Sequence, residues 1–209
     1  MEPGEAFRRD VSRETRERLE IYETLLRQRQ RRTNLVSTAS LPALWTRHFL
    51  DSAQLAPLLA DDVVGHTVDV GSGAGFPGMV LAILDADRRV SLVEANGKRC
   101  AFLREVADAT GTQVSVIEGR LEAPDTQAAL APAGTIVARA CAPLVDLLGL
   151  VFLVLASNTY CIFPKGRRYR SELDDARRRW NFVVDIVPSR TAAEARILRI
   201  SDVERRRRP

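Results

Sequence analysis

The chain has 209 residues, of which 45% are hydrophobic, so it can bury the core of one domain with a small appendage but not two full catalytic domains. Its net charge of +4 suits a polyanionic partner but is too small to establish one. The three cysteines lack pairing or metal-ligand spacing, no signal peptide is predicted, and no apolar run reaches the roughly 18 residues of a membrane span. We therefore expect a cytoplasmic protein without a metal site and without a membrane partner. We further expect a monomer.

Residues 1–60 predict a helical extension. A helix predicted from Phe7 to Arg31 has one apolar face, while arginine and glutamate cover the other. A second helix is predicted from Leu41 to Leu59, with a break near Pro57. The apolar face of the first helix is made by Leu19, Tyr22, Leu25 and Leu26.

Strands and helices then alternate, which predicts a parallel sheet. Two later apolar runs are separated by a polar connection too short for a crossover helix, so they should pair as an antiparallel hairpin. The predicted fold is α/β, a Rossmann-like doubly wound sheet over 61–203 that ends in this hairpin, followed by an arginine-rich, disordered tail at 204–209. The predicted strands lie at 66–70, 89–93, 113–117, 135–138, 159–163, 182–187 and 195–200. Three helices are predicted between them: one that starts at 77, one at 97–109 and one at 143–155.

A glycine-rich loop, VDVGSGAGFPGM at 68–79, follows the first predicted strand and matches two cofactor-binding patterns. The matching residues are Gly73, Gly75 and Gly78 for the G-x-G-x-x-G dinucleotide fingerprint, and Asp69, Gly71, Gly73 and Gly75 for the D-x-G-x-G-x-G loop of S-adenosylmethionine enzymes. Glu94 ends the second strand, where a carboxylate accepts the ribose hydroxyls of either cofactor. The acidic residue before the glycines and the terminal hairpin favour S-adenosylmethionine, and a dinucleotide-dependent oxidoreductase is the alternative.

The residues after the fourth predicted strand constrain the atom that such an enzyme would methylate. The segment reads ARACAPL and lacks the Asn/Asp-Pro-Pro-aromatic turn typical of exocyclic-amine methylation. Cys141 has no second positioned thiol, so we interpret it as a core residue and not as a nucleophile. Lys165 leaves ribose 2′-oxygen methylation open. Guanine N7 carries an in-plane lone pair and needs no general base, which fits a chain without an obvious acid/base constellation. A non-catalytic RNA-binding protein is disfavoured by the intact glycine loop and Glu94.

Seven short segments occur together in this chain: NLVS at 34–37, RHFLDS at 47–52, DVGSGAGFPG at 69–78, LVEANGKRCAFLREV at 92–106, GRLE at 119–122, ARA at 138–140 and FPKG at 163–166. In this order they resemble the bacterial small-subunit ribosomal RNA guanine-N7 methyltransferase family. The resemblance implies a class I methyltransferase fold with an N-terminal helical extension and S-adenosylmethionine as donor. It also implies methylation of a guanine in the decoding-region loop of 16S rRNA, in naked RNA, a small subunit or an assembly intermediate.

The resemblance implies cofactor-binding roles for residues in three of these segments. Gly71 and Phe76 would line the cofactor, and Leu121 and Glu122 would lie near its adenine. Arg139 would reach the cofactor or the incoming guanine. The expected cofactor site is completed by Asp69, Gly73, Gly75 and Glu94.

The first helix departs from the family pattern at its end, which affects its packing against the cofactor domain. The chain has Gln30 to Arg32 where the family has a Trp-Asn pair, and Val36 where threonine is usual.

Further residues are expected to act on the guanine and on RNA. We hypothesise that Arg47, His48 and Asp51 shape the guanine or methyl-donor end of the site, with Arg139, His48 and Arg47 as positioning residues and no general base. Cations near the site would hold phosphates and contribute affinity without base specificity. These cations are Lys98, Arg99, Lys165 and Arg167.

Overall fold

The N-terminal extension begins with two helices in place of the single one predicted from Phe7 to Arg31. Helix α1 spans Pro3–Asp10 and α2 spans Arg13–Gln30. The chain breaks between them because the Ser12 side chain accepts the N–H of Thr15 and caps α2. The structure, a computed structural model, describes residues 2–59, 66–130, 132–139 and 141–206.

The second half of the extension is helical but irregular. The break predicted near Pro57 is confirmed, whereas the rest of the helix predicted from Leu41 to Leu59 is less regular than expected, because Pro42 also lacks the N–H that a continuous helix needs. The elements are a 3₁₀ turn at Thr38–Ala43, a π-helical turn at Trp45–Leu50, helix α3 at Asp51–Ala53 and a 3₁₀ turn at Ala56–Leu58.

A seven-stranded sheet forms the rest of the chain. The strands are β1 His66–Val70, β2 Arg89–Glu94, β3 Val114–Glu118, β4 Thr135–Val137, β5 Tyr160–Lys165, β6 Trp180–Pro188 and β7 Arg196–Arg205. Their order is β3-β2-β1-β4-β5-β7-β6; the first five strands along the chain pair in parallel, and β7 is antiparallel to both β5 and β6. This topology confirms the predicted doubly wound sheet with a terminal hairpin.

Helices cover both faces of the sheet. Two of them, α6 and α8, follow strands directly and were not predicted. The helices of this part of the chain are α4 Gly78–Leu84, α5 Gly97–Thr110, α6 Pro124–Ala128, α7 Leu144–Val151 and α8 Tyr169–Arg177.

The hydrophobic core has one large cluster on each face of the sheet. On one face Leu19, Tyr22 and Leu26 of α2 are fully buried against α4 and α5. On the other face α7 and α8 pack on strands through residues such as Phe163 and Leu198. Burial of each such side chain stabilises the folded chain by roughly 1.5–3 kcal/mol. Because the buried side chains of α2 belong to the same cluster as those of α4 and α5, the extension packs as part of the sheet domain.

The predicted domain limits are only partly placed by the structure. The boundary between residues 60 and 61 lies outside the described residues. The predicted disordered tail was wrong for residues 204–206, because Arg205 pairs with Trp180 across the hairpin and Arg206 donates to the Asn181 side chain; the remaining tail residues lie outside the described part. Among the described helices, none has the length and apolar character needed to cross a membrane.

Candidate active site

Two adjoining clefts lie at the carboxyl ends of the parallel strands. The first cleft, of about 630 Å³, is walled by the glycine loop, Glu94 and the segment after β3. The second cleft, of about 760 Å³, lies between the extension, β5, α8 and the connection of the terminal hairpin. The clefts share four lining residues, His48, Arg139, Cys141 and Ala142. A group in one cleft can therefore meet a group in the other.

The glycine loop exposes backbone to the first cleft. Gly71 and Gly73 have φ of 68° and 59°, a conformation that L side chains rarely adopt. The loop is fixed from beneath, since the Ser72 hydroxyl donates to the carbonyl of Asp69. The sequence prediction of a tight loop with bare backbone is thus realised in this cleft, whose loop lining is Gly71, Ser72, Gly73, Ala74 and Phe76.

Asp69 lies beneath the glycine loop and is fully buried. Its Oδ2 accepts the N–H of Gly78 at the start of α4, and its Oδ1 has no hydrogen-bond partner among the described residues. Burial raises the pKa of this carboxyl to about 7, against the Gly78 hydrogen bond and the Arg139 charge, which both lower it. Asp69 therefore holds the loop to α4, and its predicted contact with the cofactor stays a prediction.

Glu94 stands at the end of β2 on the wall of the first cleft, as predicted. Its Oε2 accepts the N–H of Gly73 and its Oε1 accepts the N–H of Asn96, both at 2.8 Å. A carboxylate has about four acceptor positions, so these two bonds fix its orientation and leave capacity for two hydroxyl donors. This geometry suits the predicted ribose contact.

Outside the glycine loop, part of the lining of the first cleft is apolar. Leu121 is buried and lines the first cleft with Glu122, as predicted for an adenine subsite. Leu35 and Val36 of the extension complete this apolar lining. Gln30 clamps that segment, because its Oε1 accepts the N–H groups of both residues and its Nε2 donates to the carbonyl of Val36. Gln30 thereby docks the extension segment beside the cleft, at the position where the chain departs from the family pattern.

Gly75 faces the extension, although it was predicted to contact the cofactor. An added Cβ there would lie 2.5 Å from the Tyr22 hydroxyl, and the residue has φ of 97°. The Tyr22 hydroxyl donates to the carbonyl of Ala74, and its ring stacks on Phe76 with centroids 5.3 Å apart. Gly75 is required because it leaves room for Tyr22 against the loop.

Arg139 is one of the four residues that line both clefts. Its Nη1 donates to the carbonyl of Arg47, and its guanidinium lies 5.0 Å from the centre of the Phe76 ring. Its Nη2 lies 2.7 Å from Nδ1 of His48, while His48 Nε2 lies 2.8 Å from the Ser40 hydroxyl. Arginine has no acceptor, so Nδ1 accepts and Nε2 carries the proton.

The protonation state of His48 follows from this arrangement. Burial and the charges of Arg139 and Arg47 lower the pKa of His48 to about 3. His48 is therefore a neutral imidazole with both nitrogens engaged. It positions Arg139 and offers no lone pair to a substrate proton.

Asp51 connects Arg139 to the terminal hairpin. Its Oδ2 forms an ion pair with Arg139 at 3.1 Å, and its Oδ1 accepts from the Thr191 hydroxyl at 2.6 Å and from Gln54 at 2.9 Å. Gln54 in turn accepts the N–H of Arg190. The structure thus brings together the predicted group of Arg47, His48, Asp51 and Arg139. Hydrogen bonds from Thr191 and Arg190 hold the hairpin connection beside this group.

The four predicted phosphate-binding cations do not form one surface. Lys98 is exposed on α5 beside the end of α2, whereas Arg99 lines the first cleft and donates to the carbonyl of Asn34. Lys165 is nearly buried in the second cleft, with Nζ 2.8 Å from Glu172. Arg167 is exposed and pairs with Glu194. RNA contact remains a prediction for each of the four.

Cys141 is exposed, so its interpretation as a core residue was wrong. It follows β4 at the junction of the clefts, and an added Cβ on Gly71 would lie 2.9 Å from its Sγ. Although the residue is exposed, partial burial of its thiol, and then the nearby carboxylates of Asp69 and Glu94, raise the pKa of Cys141, so it is not an activated nucleophile.

The residues of the first cleft fit S-adenosylmethionine. Gly71 and Gly73 have backbone conformations that are unfavourable for residues with a Cβ. Because these glycines have no side chains, the amide backbone of the loop leaves space for the methionine end of S-adenosylmethionine. The oriented Glu94 carboxylate suits ribose hydroxyls, and the apolar wall of Leu35 and Leu121 suits adenine.

Several residues of the site were not found from the sequence. Tyr22 was assigned only to a core face, and Gln30 only to a departure from the family pattern. Thr191 lay in a connection recognised as short and polar, and Glu172 lay on the unpredicted helix α8. Their roles depend on contacts between distant segments, for which the sequence carried no local signal.

Comparison with known proteins identifies the family. A family model described as GidB, rRNA small subunit methyltransferase G, matches residues 15–197. The chain is 48% identical over 199 residues to Ribosomal RNA small subunit methyltransferase G of Paramagnetospirillum magneticum, an alignment that covers 94% of this chain and 93% of that protein. It is 47% identical over 193 residues to the protein of the same name from Rhodospirillum centenum, covering 92% and 87%.

Solved structures share the fold at low sequence identity. Aeropyrum pernix fibrillarin, in complex with natively bound S-adenosyl-L-methionine, has a TM-score of 0.52 at 13% identity and covers 75% of each chain. A methyltransferase from Geobacter sulfurreducens has a TM-score of 0.56 at 15% identity, covering 92% of this chain and 89% of that chain. These likenesses confirm the predicted class I methyltransferase fold. The matches over nearly the whole length show that the chain belongs to the rRNA small subunit methyltransferase G family.

Proposed function

We propose that the chain transfers a methyl group from S-adenosylmethionine to N7 of a guanine in the decoding-region loop of 16S rRNA. The observation that carries this proposal is the junction of the two clefts. His48 and Arg139 line both clefts and are joined there by a direct hydrogen bond. The first cleft takes the cofactor, and the second receives the flipped-out or unpaired base.

The residues of the first cleft bind and orient the donor. The glycine-loop backbone holds the methionine end, Glu94 accepts the ribose hydroxyls, and Leu35 and Leu121 cover the adenine. Bound S-adenosylmethionine supplies an electrophilic methyl group on its sulfonium. Arg139, held by His48 and Asp51, fixes the boundary between donor and base.

The chemistry of guanine N7 suits the groups at this junction. N7 attacks with an in-plane lone pair and releases no proton, so orientation and exclusion of water provide most of the catalysis. His48 is neutral and has both nitrogens bonded, so it does not act as a base. Lys165, the candidate base for ribose methylation, is bonded to Glu172 and to the carbonyl of Ala142. Because neither His48 nor Lys165 is free to accept a proton, the site favours a base nitrogen over a ribose hydroxyl as the methylated atom.

The RNA partner in this proposal is 16S rRNA; the names of the relatives specify, for those proteins, methylation of ribosomal RNA of the small subunit. Two exposed cations, Arg168 in the lining of the second cleft and Lys98 next to the cleft-lining Arg99 in sequence, can hold phosphates of a strand that crosses the junction. Both clefts are completed by residues of a single chain, so we expect the enzyme to act as a monomer. The reaction takes place in the cytoplasm, where the small subunit is assembled.

The test is methyl transfer from labelled S-adenosylmethionine to small subunits and to naked 16S rRNA from cells that lack the enzyme, followed by nucleoside digestion. Label in 7-methylguanosine from the decoding-region loop is the expected result, and the better substrate identifies the natural form of the RNA. Label in a 2′-O-methylnucleoside would overturn the target atom. Binding of the cofactor without labelling of either RNA would overturn the target.

A further inference from the structure

Lys165 and Glu172 form an ion pair inside the second cleft. Lys165 is at the end of β5 and Glu172 is on α8, and their charged atoms are 2.8 Å apart. The side chains are only 9% and 24% exposed, and both line the cleft. This pair is therefore presented to whatever the second cleft binds.

The pair has unused hydrogen-bonding capacity. Lys165 Nζ has three N–H groups and donates to Glu172 Oε2 and to the carbonyl of Ala142, which leaves one donor. Glu172 Oε2 accepts from Lys165 and from the N–H of Leu144 at the start of α7, whereas Oε1 accepts no hydrogen bond in the described part of the chain. The pair thus offers one donor and one acceptor beside each other.

Stability does not explain such a pair. Removing two charges from water costs as much as their attraction returns, so a well-packed apolar pair is often equally stable. A charge pair in a cleft gives directional donors and acceptors, which apolar residues cannot provide. The pair is therefore complementary to a ligand that carries a hydrogen-bond acceptor next to a hydrogen-bond donor.

We propose that Lys165 and Glu172 read the target guanine: Lys165 Nζ donates to O6, and Glu172 Oε1 accepts from N1–H. This inference rests on the proposed function and assigns a base-specificity role to two residues of the second cleft. Adenine presents an amino donor and an unprotonated N1 at the same two places, so both contacts become repulsive. Contacts to O6 and N1 leave N7 free to face the junction with the first cleft.

The variant that tests the acceptor is Glu172→Gln. Leu144 N–H and Lys165 both need an acceptor at the Oε2 position, so the amide oxygen takes that place and the amide nitrogen replaces Oε1. An acceptor then becomes a donor that faces N1–H. We expect kcat/KM on target RNA to fall about 10- to 100-fold, with cofactor affinity and Tm within error of the unsubstituted protein. The matched control is Glu17→Gln, an exposed carboxylate paired with Arg13 on α2, which should change none of these values.

Substituted RNA tests the same contacts without altering the protein. Decoding-loop fragments carry guanine, inosine, 2-aminopurine or adenine at the methylated position, and their affinities are compared by competition binding. Inosine keeps O6 and N1–H and should bind within a few-fold of guanine, whereas 2-aminopurine and adenine should bind at least 10-fold more weakly. Glu172→Gln should remove this preference.

The two failures are distinguishable. If the unsubstituted enzyme makes no 7-methylguanosine, the proposed function fails, whatever the base preference. If it makes 7-methylguanosine but binds the 2-aminopurine fragment as tightly as the guanine fragment, the reading of the base by this pair is overturned. An unchanged guanine preference in folded Glu172→Gln protein would overturn it equally.

Discussion

Nη2 of Arg139 donates to Nδ1 of His48 across 2.7 Å, a bond between a strand-end arginine and a turn of the N-terminal extension. The bond requires an unprotonated Nδ1, because a guanidinium has no acceptor to offer an imidazolium. It explains in physical terms why a histidine at the centre of the site is a positioning residue. The π-helical turn Trp45–Leu50 provides this contact, and such turns recur at functional sites.

The first prediction concerns the pH dependence of stability through His48. Its pKa is about 3 in the folded chain against 6.5 as the ordinary value, so the unfolded state binds more protons between these two pH values. The neutral His48 therefore contributes to the unfolding free energy, and this contribution is fully present above pH 6.5 and is lost as the pH falls toward 3. His48→Asn should flatten this part of the profile in denaturant titrations. A profile unchanged by the substitution would contradict the neutral, buried imidazole.

The second prediction has the opposite sign and concerns Asp69. Burial raises its pKa from 3.8 to about 7, so the folded state binds more protons between these values. The unfolding free energy therefore falls as the pH rises through this range. Asp69→Asn keeps an acceptor for the Gly78 N–H and removes the titration, so it should be relatively more stable at pH 8 than at pH 4 when compared with the unsubstituted chain. If the unfolding free energies of the two proteins changed in parallel between pH 4 and pH 8, the raised pKa of Asp69 would be refuted.

The sequence allowed accurate prediction where local patterns decide the structure. The strand at 66–70 and the helix at 97–109 match β1 and α5, because apolar runs and their periodicity are local signals. The sequence did not predict the irregular turns around His48, since propensity and periodicity do not distinguish π, α and 3₁₀ turns. The exposure of Cys141 was also missed, because it depends on how two clefts meet.

The site was predicted in composition more fully than in arrangement. Arg47, His48, Asp51 and Arg139 were named together from motif resemblance, and the structure places them in one hydrogen-bond network. Lys165 was expected to hold a phosphate, and the structure pairs it with Glu172, a partner that the sequence analysis did not name. That pairing requires α8 to bring Glu172, seven residues further along the chain, back against the end of β5, which no pattern near Lys165 indicated.

The third prediction tests Asp51 as the link between Arg139 and the hairpin connection. Asp51→Asn keeps an acceptor for Thr191 and Gln54 but presents a donor to Arg139, so the guanidinium loses its ion pair and its orientation. We expect kcat to fall roughly 10- to 100-fold, since misplacement of a positioning group is costly, with cofactor affinity nearly unchanged. Asp185→Asn, which removes an exposed carboxylate paired with Arg199, is the control and should leave kcat unaltered. Equal kcat values for the two variants would remove Asp51 from the site.

The fourth prediction separates backbone strain from steric overlap at the glycine loop, using two glycines with positive φ. Gly111 has φ of 63° at the end of α5, and an added Cβ there meets nothing within 4 Å. Gly75 has φ of 97°, and its Cβ would approach the buried Tyr22 hydroxyl to 2.5 Å and Leu103 to 3.0 Å. Gly111→Ala should cost about 1 kcal/mol of unfolding free energy, and Gly75→Ala about 3 kcal/mol or more, because overpacking adds to strain. Only Gly75→Ala should also weaken S-adenosylmethionine binding measured by calorimetry, since Tyr22 and Phe76 must shift with the loop. If both variants lost equal stability and kept equal cofactor affinity, the contact between Tyr22 and the loop would have no part in forming the cleft.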